Sequence, residues 1–239
     1  AVYINFSEDF KTKEKKLSAL LLFWVLIQGA FGYLTVSLKL WPQIVTLHLL
    51  FGFITTIMLW LLYFRLKDES GGEKKKWNFS KRLNSFITLA SIFVFLQILL
   101  GAWTSTNYAA FSCPDFPLCQ GQLFPQTNFS GGFNIFQGIG PNYLGGQMDL
   151  ESRTAIHLSH RIGAVLVTLI LSFLAWKIYK ENFKKTALIL LGILLLQILL
   201  GVSNIIFQLP LLIAVAHNLG GLSLITYLMI LRYRYKDDS

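Results

Sequence analysis

Apolar residues run through this chain in six long blocks separated by short polar stretches, at about 17–37, 42–64, 84–106, 154–179, 186–208 and 211–232. A helix needs ~20 mostly apolar residues to cross ~30 Å of hydrocarbon, so each block is long enough to span a membrane. Lipid offers no partner to a free backbone N–H or C=O, so the spans must be helical. The pattern predicts an all-α membrane protein with six transmembrane helices. Composition agrees: 54% of the 239 residues are hydrophobic and 14% are charged. The net charge of +9 would suggest nucleic acid in a soluble protein. Here the basic residues sit between the apolar blocks and read as topology signals, with no nucleic-acid partner. Residues 65–82 hold seven Lys or Arg, and Lys177, Lys180, Lys184 and Lys185 follow at the next link on that side. The opposite connectors hold only Lys39 and Arg153. The positive-inside rule then places both termini in the cytoplasm of a bacterial plasma membrane, with the long 107–153 loop outside.

The blocks are internally repetitive, and repetition fixes architecture. Gln-x-x-x-Gly closes the first, third and fifth blocks, at Gln28–Gly32, Gln97–Gly101 and Gln197–Gly201. After the first and fifth, a short break with Pro42 or Pro210 leads to His48 or His217, at the same distance from the Gln in both. The last four blocks make one complete unit, and the first two match only its second half. Residues 84–239 therefore read as a complete C-terminal four-helix repeat with the outer loop 107–153. Residues 1–83 read as the second half of an N-terminal repeat plus a basic linker. A duplicated, pseudo-twofold four-helix-bundle architecture predicts two further helices before Ala1. The Gln and Gly positions read as helix packing, since a small residue admits a close neighbour.

All four histidines, His48, His157, His160 and His217, fall inside the apolar blocks. Ionisable groups are costly there and mark functional positions. His48, His160 and His217 lie about six residues from the outer ends of their blocks, a depth of roughly 9 Å. Two imidazoles at matched depth on neighbouring helices can hold one haem iron from both faces. His160 and His217 form that pair, and His48 is their counterpart in the repeat. His157 lies one turn outward from His160 on the same face; it is placed to meet a haem edge, a propionate or the outer loop. Arg161 suits a propionate carboxylate, the loop or a lipid headgroup. The outer loop carries the only cysteines, in Cys113-Pro-Asp-Phe-Pro-Leu-Cys119. An oxidising exterior favours a disulfide there. Two Cys with no His in the loop are too few for a metal site, and a catalytic dithiol is the alternative.

With the three Gln-x-x-x-Gly ends, the Cys113–Cys119 loop, the His157-Leu-Ser-His160-Arg161 helix and the final His217 after a Pro, the chain resembles the haem A synthase family. The resemblance runs from about residue 17 to 232 and aligns the chain with the last six of the family's eight helices. It implies oxidation of a methyl group of haem O to a formyl group, making haem A for terminal oxidases. It implies haem b held by His160 and His217, and His48 as one ligand of the substrate haem. The partner His and an assisting Glu would lie on a helix outside this chain. Haem O synthase, a terminal oxidase, membrane lipid and a second copy of the chain are the candidate partners. Two other functions fit the same residues: a b-type haem electron carrier without a substrate, and a membrane thiol–disulfide enzyme built on Cys113 and Cys119.

Overall fold

The computed structural model describes residues 4, 11–69 and 77–234. Lys74, Lys75 and Lys76, part of the basic pattern above, lie outside the described residues. Six helices are long and apolar enough to cross a membrane: α1 (Thr12–Ser37), α2 (Pro42–Glu69), α3 (Lys81–Thr106), α4 (Leu150–Lys180), α5 (Lys184–Ile206) and α6 (Leu211–Tyr233). Among the described residues there is no strand. The chain is thus an all-α, multi-pass membrane protein.

Three helices outrun their apolar blocks by four residues or more, and α1 does so by starting five residues before Leu17. The helix α2 continues five residues past Phe64, and α4 starts four residues before Thr154. Polar side chains end a hydrophobic block, but they do not end a helix whose backbone bonds can continue beyond the hydrocarbon. The early start of α4 has a local cause: the Asp149 carboxylate caps the helix by accepting from Ser152 N at 2.7 Å, the usual N-cap role of Asp. Ser80 does the same for α3, accepting from Leu83 N at 3.1 Å. The breaks after α1 and α5 share one backbone form. Lys39 and Leu40 have φ of 51° and 63°, and Gln208 and Leu209 have 55° and 60°. In each break the second left-handed residue donates its N–H back into the helix, Leu40 to Thr35 O and Leu209 to Asn204 O. These positions are separated by the same offset as His48 and His217, so the repeat read from side chains extends to the turns.

Packing divides the helices unequally. Each of α3, α4, α5 and α6 packs on the next, and α6 closes the ring onto α3. The helix α2 leans on α3 and α6, while α1 packs on α2. The ring's core is a set of heptad-like stripes: Leu83, Ile87, Ala90 and Val94 on α3 face Leu171, Leu174 and Ile178 on α4 and Leu224, Leu228 and Leu231 on α6. Spacings of three and four residues are those of antiparallel bundles packed with a small left-handed crossing. These buried positions fill the end of the bundle away from the 107–149 loop. The polar residues of interest lie towards the loop end.

The α1–α2 hairpin is fastened at both ends. At the loop end Trp41 Nε1 donates to Gln137 O at 3.0 Å, Gln43 Nε2 to Ile135 O at 2.8 Å, and Tyr143 N to Lys39 O at 3.0 Å. Thr46 and Thr106 share a buried hydroxyl contact of 3.1 Å. At the opposite end the Asp68 carboxylate accepts from Tyr233 Oη at 2.9 Å and Arg234 Nη1 at 3.1 Å. Both side chains of this ion pair are less than one-fifth exposed, so the pair is shielded from water. Asp68→Asn removes the charge while keeping the shape. Its expected cost is about 1–2 kcal/mol, the scale of a hydrogen bond to a charged group. A lowered thermal midpoint of the detergent-solubilised protein, relative to wild type, is the measurement that checks this.

Candidate functional site

Three helix pairs carry one repeated arrangement of Gly, Gln and His. The glycines Gly32, Gly101 and Gly201 each lie five residues before the last residue of their helices, α1, α3 and α5. At about 1.5 Å per residue this places all three roughly 7.5 Å below the helix ends. Opposite each one stands the His of the following helix. A methyl group added to Gly32 would lie 3.2 Å from Cε1 of His48; the corresponding distances are 3.0 Å for Gly101 and His160 and 3.1 Å for Gly201 and His217. In each case the two ring nitrogens are 3.6–3.9 Å from that point. The imidazole therefore points its Cε1 apex at the glycine and turns its nitrogens to the sides. The expected match in depth holds when it is measured on the glycine helices. It does not hold by counting from the start of α4, where His160 is ten residues in because the helix begins at Leu150.

The Gln completes the contact from the other direction. Gln97 Nε2 donates to the main-chain carbonyl of His160 at 2.9 Å and lies 3.0 Å from the ring Nδ1. Gln28 Nε2 donates to His48 O at 3.0 Å. Gln197 Nε2 lies 3.5 Å from Nε2 of His217. Each carboxamide also rests on a glycine of the His helix: Gly52 for Gln28, Gly163 for Gln97 and Gly220 for Gln197. The Gln-x-x-x-Gly signal was visible as packing. Its counterpart, a glycine three or four residues after each His, went unread although it stands in the sequence.

His160 on α4 and His217 on α6 belong to diagonal helices of the ring, and they lie within each other's electrostatic reach. Two neutral imidazoles approaching from opposite helices are a donor set suited to a haem iron. The structure fits such a group in two further respects. Each imidazole sits in a cradle that a Cβ would fill, and buried polar atoms here (Nδ1 of His217, Oε1 of Gln97 and Gln197) have no hydrogen-bond partner. His48 carries the same cradle, with its own Nδ1 and Gln28 Oε1 likewise unpartnered. Among the described residues no three His, Cys, Asp or Glu cluster as a metal site.

The remaining sequence candidates gather around the outer loop. Arg161 Nη1 donates to Leu118 O at 2.7 Å, and Nη2 donates to Cys113 O at 2.8 Å and Asp115 O at 2.9 Å. Its Nε reaches Nε2 of buried His157 at 3.4 Å. Of the roles open to Arg161 and His157, the structure thus displays the one that faces the loop. Cys113 and Cys119 are buried side by side with Cα atoms 4.5 Å apart, inside the span a disulfide bridges. The loop between them is folded on Asp115, whose carboxylate accepts from Gln120 N at 2.6 Å and Gly121 N at 2.8 Å. The Gly121 bond foremost, then that from Gln120 and the charge of Arg161, hold this carboxyl below its usual range.

Comparison with known proteins agrees with these features. The profile of the COX15-CtaA family, described as cytochrome oxidase assembly protein, matches residues 1–229. The chain is 38% identical over 223 residues to heme A synthase of Shewanella oneidensis, covering 92% of this chain and 66% of that protein. It is 31% identical over 134 residues to heme A synthase of Maricaulis maris, covering 55% of this chain and 36% of that one. It is 26% identical over 212 residues to heme A synthase of a Wolbachia strain from Culex pipiens, covering 85% and 58%. The chain spans about two thirds or less of the length of these relatives. With a profile match over nearly its whole length, and with paired histidines in a six-helix membrane fold, the chain belongs to the COX15-CtaA family of cytochrome oxidase assembly proteins.

Proposed function

We propose that this chain is the larger part of a haem A synthase, an oxidoreductase that converts a methyl group of haem O to a formyl group to make haem A for terminal oxidases. The observation that carries the reading is the pair His160 and His217, held at one depth on diagonal helices of the α3–α6 ring. The names of the relatives support the reaction. Residues 84–239 are the complete haem b unit. Residues 1–83 are the second half of the substrate unit, in which His48 supplies one ligand to haem O. Basic links at 65–82 and 177–185 lie on the cytoplasmic side with both termini, and the Cys loop lies outside.

When bound, haem b supplies one-electron redox chemistry and a route for electrons withdrawn from the substrate methyl. The protein supplies position and insulation. His160 and His217 would hold the haem iron through their imidazole nitrogens. Gly101 and Gly201 let α3 and α5 close against those rings, so apolar helix faces exclude water from the slot. His48, in the same cradle on α2, fixes the substrate at the same depth in the membrane. Cys113 and Cys119 close a structural disulfide, and Arg161 ties that ring to the helix carrying His160.

The reading is tested by reduced-minus-oxidised visible spectra of detergent-purified protein, with organic extraction of the bound haem, on wild type, His160→Ala and His217→Ala. A low-spin b-type signal is expected in wild type and is lost in both variants. Extraction of haem O or haem A beside haem b is expected for the synthase, whereas haem b alone would make the chain an electron carrier. A well-folded preparation with no haem would sink both.

The structural role of the loop predicts a separate outcome. Cys113→Ser and Arg161→Ala are expected to keep the b-type spectrum while making the 107–149 loop more susceptible to limited proteolysis. Arg161→Lys restores little, since one ammonium cannot reproduce a fork that reaches three carbonyls. Loss of turnover with full haem content in the Cys113→Ser variant would instead favour thiol–disulfide chemistry.

A further inference from the structure

We propose that Gln97 and Gly101, with their counterparts Gln197 and Gly201 and Gln28 and Gly32, are positioning residues that set the rotation of each iron-binding imidazole. The inference rests on the assignment of His160, His217 and His48 as haem ligands and adds the groups that orient them.

Three observations carry it. First, at all three sites the ring stands against a helix face that only a glycine leaves open. Its Cε1 faces the glycine at a distance where an added Cβ would be tighter than ordinary contact, and both nitrogens lie to the sides at nearly equal distances. A side chain larger than glycine at 32, 101 or 201 would push the ring out of this place. Second, the Gln is locked to the helix that bears the ligand. It bonds the carbonyl of the ligating residue itself at His48 and His160, and it rests on a glycine one turn further along. A residue larger than glycine at 163 or 220 would collide with Gln97 Oε1 or Gln197 Oε1. Each helix pair is thus keyed twice: His against the glycine of one helix, Gln against the glycine of the other. Third, every Gln keeps one buried amide oxygen without a partner. The amide nitrogen meets the ring at two sites: Gln97 Nε2 stands 3.0 Å from Nδ1 of His160, and Gln197 Nε2 stands 3.5 Å from Nε2 of His217. A group that touches the ring of a ligand, and at His160 its main chain as well, sets the plane of that ring.

A bystander packing role predicts something different, and the chain contains its own controls. Gly29 on α1 and Gly192 on α5 have open space where a Cβ would go. The experiment uses the haem-containing protein purified from membranes and reads three quantities: haem b per protein, the g-values of the ferric low-spin signal, and the midpoint potential. Gly101→Ala and Gly201→Ala are expected to weaken haem binding by about 10-fold, as losses next to a metal ligand do, and to shift the g-values that report ligand-plane orientation. Gly192→Ala is expected to leave all three unchanged. Gln97→Leu is expected to keep haem but lower its affinity and move both the potential and the g-values, and Gln97→Glu, which cannot donate to the His160 carbonyl, is expected to move them likewise. Wild-type g-values and potential in both Gly101→Ala and Gln97→Leu would overturn the proposal. Should the glycine variants fail to fold, unchanged readings in Gln97→Leu alone would overturn it. A wild-type haem spectrum in His160→Ala or His217→Ala would instead refute the ligand assignment beneath it, so the two failures are distinguishable.

Discussion

The close approach of a glycine on one helix to an imidazole on the next governs this molecule. In lipid there is little hydrophobic force between helices, so association depends on packing and on polar groups satisfied between them. Here the two work at one point. A glycine removes the bulk that would hold the helices apart, and the space it leaves is taken by a ring that would otherwise be costly in hydrocarbon. Because the contact recurs at the same level in the α1–α2, α3–α4 and α5–α6 pairs, it sets helix spacing and the depth of every candidate ligand together. The opposite end of the bundle follows a different rule: leucine and isoleucine stripes fill it with no buried histidine. A rigid apolar end and a keyed polar end divide the labour of stability and chemistry along the membrane normal.

The two units of the chain use this contact differently. In the α3–α6 ring, the clamped His of α4 and the clamped His of α6 stand on diagonal helices. In the α1–α2 hairpin the clamp around His48 is equally formed, and α1 packs on α2 while α2 also packs on the ring. Loop carbonyls hold Trp41 and Gln43, and the Asp68 carboxylate holds Tyr233 and Arg234. Those fastenings at both ends fix the hairpin against sliding along the membrane normal. They keep His48 level with His160 and His217 of the ring.

Much of this was legible in residue order. Six apolar blocks gave six helices, and the Gln, Gly, Pro and His offsets gave the repeat, because membrane helices must satisfy their own backbones and repeated contacts need repeated residues. What the order of residues could not give was anything requiring the fold of the loop. Arg161 was equally suited to a propionate, a headgroup or a carbonyl, and only the course of 113–118 selects among them. Hydropathy also misplaced the start of α4, though Asp149 before Ser152 carried an N-cap signal that a reading of apolar blocks alone passes over. The glycines after each His were in plain view but have meaning only once a Gln from another helix is seen to rest on them.

Arg161 joins the outer loop to the helix that carries His160. A guanidinium has five N–H donors. Here three bonds of 2.7–2.9 Å go to carbonyls of the Cys113–Cys119 ring, and a fourth, longer contact of 3.4 Å goes to His157. A propionate seeking a two-pronged grip would have to displace bonds already made, leaving buried carbonyls without partners, which is the costlier outcome. The charge is therefore spent on holding the loop. Since Arg161 is the residue after His160 on one helix, the cysteine ring is fastened to the same turn of α4 that carries His160.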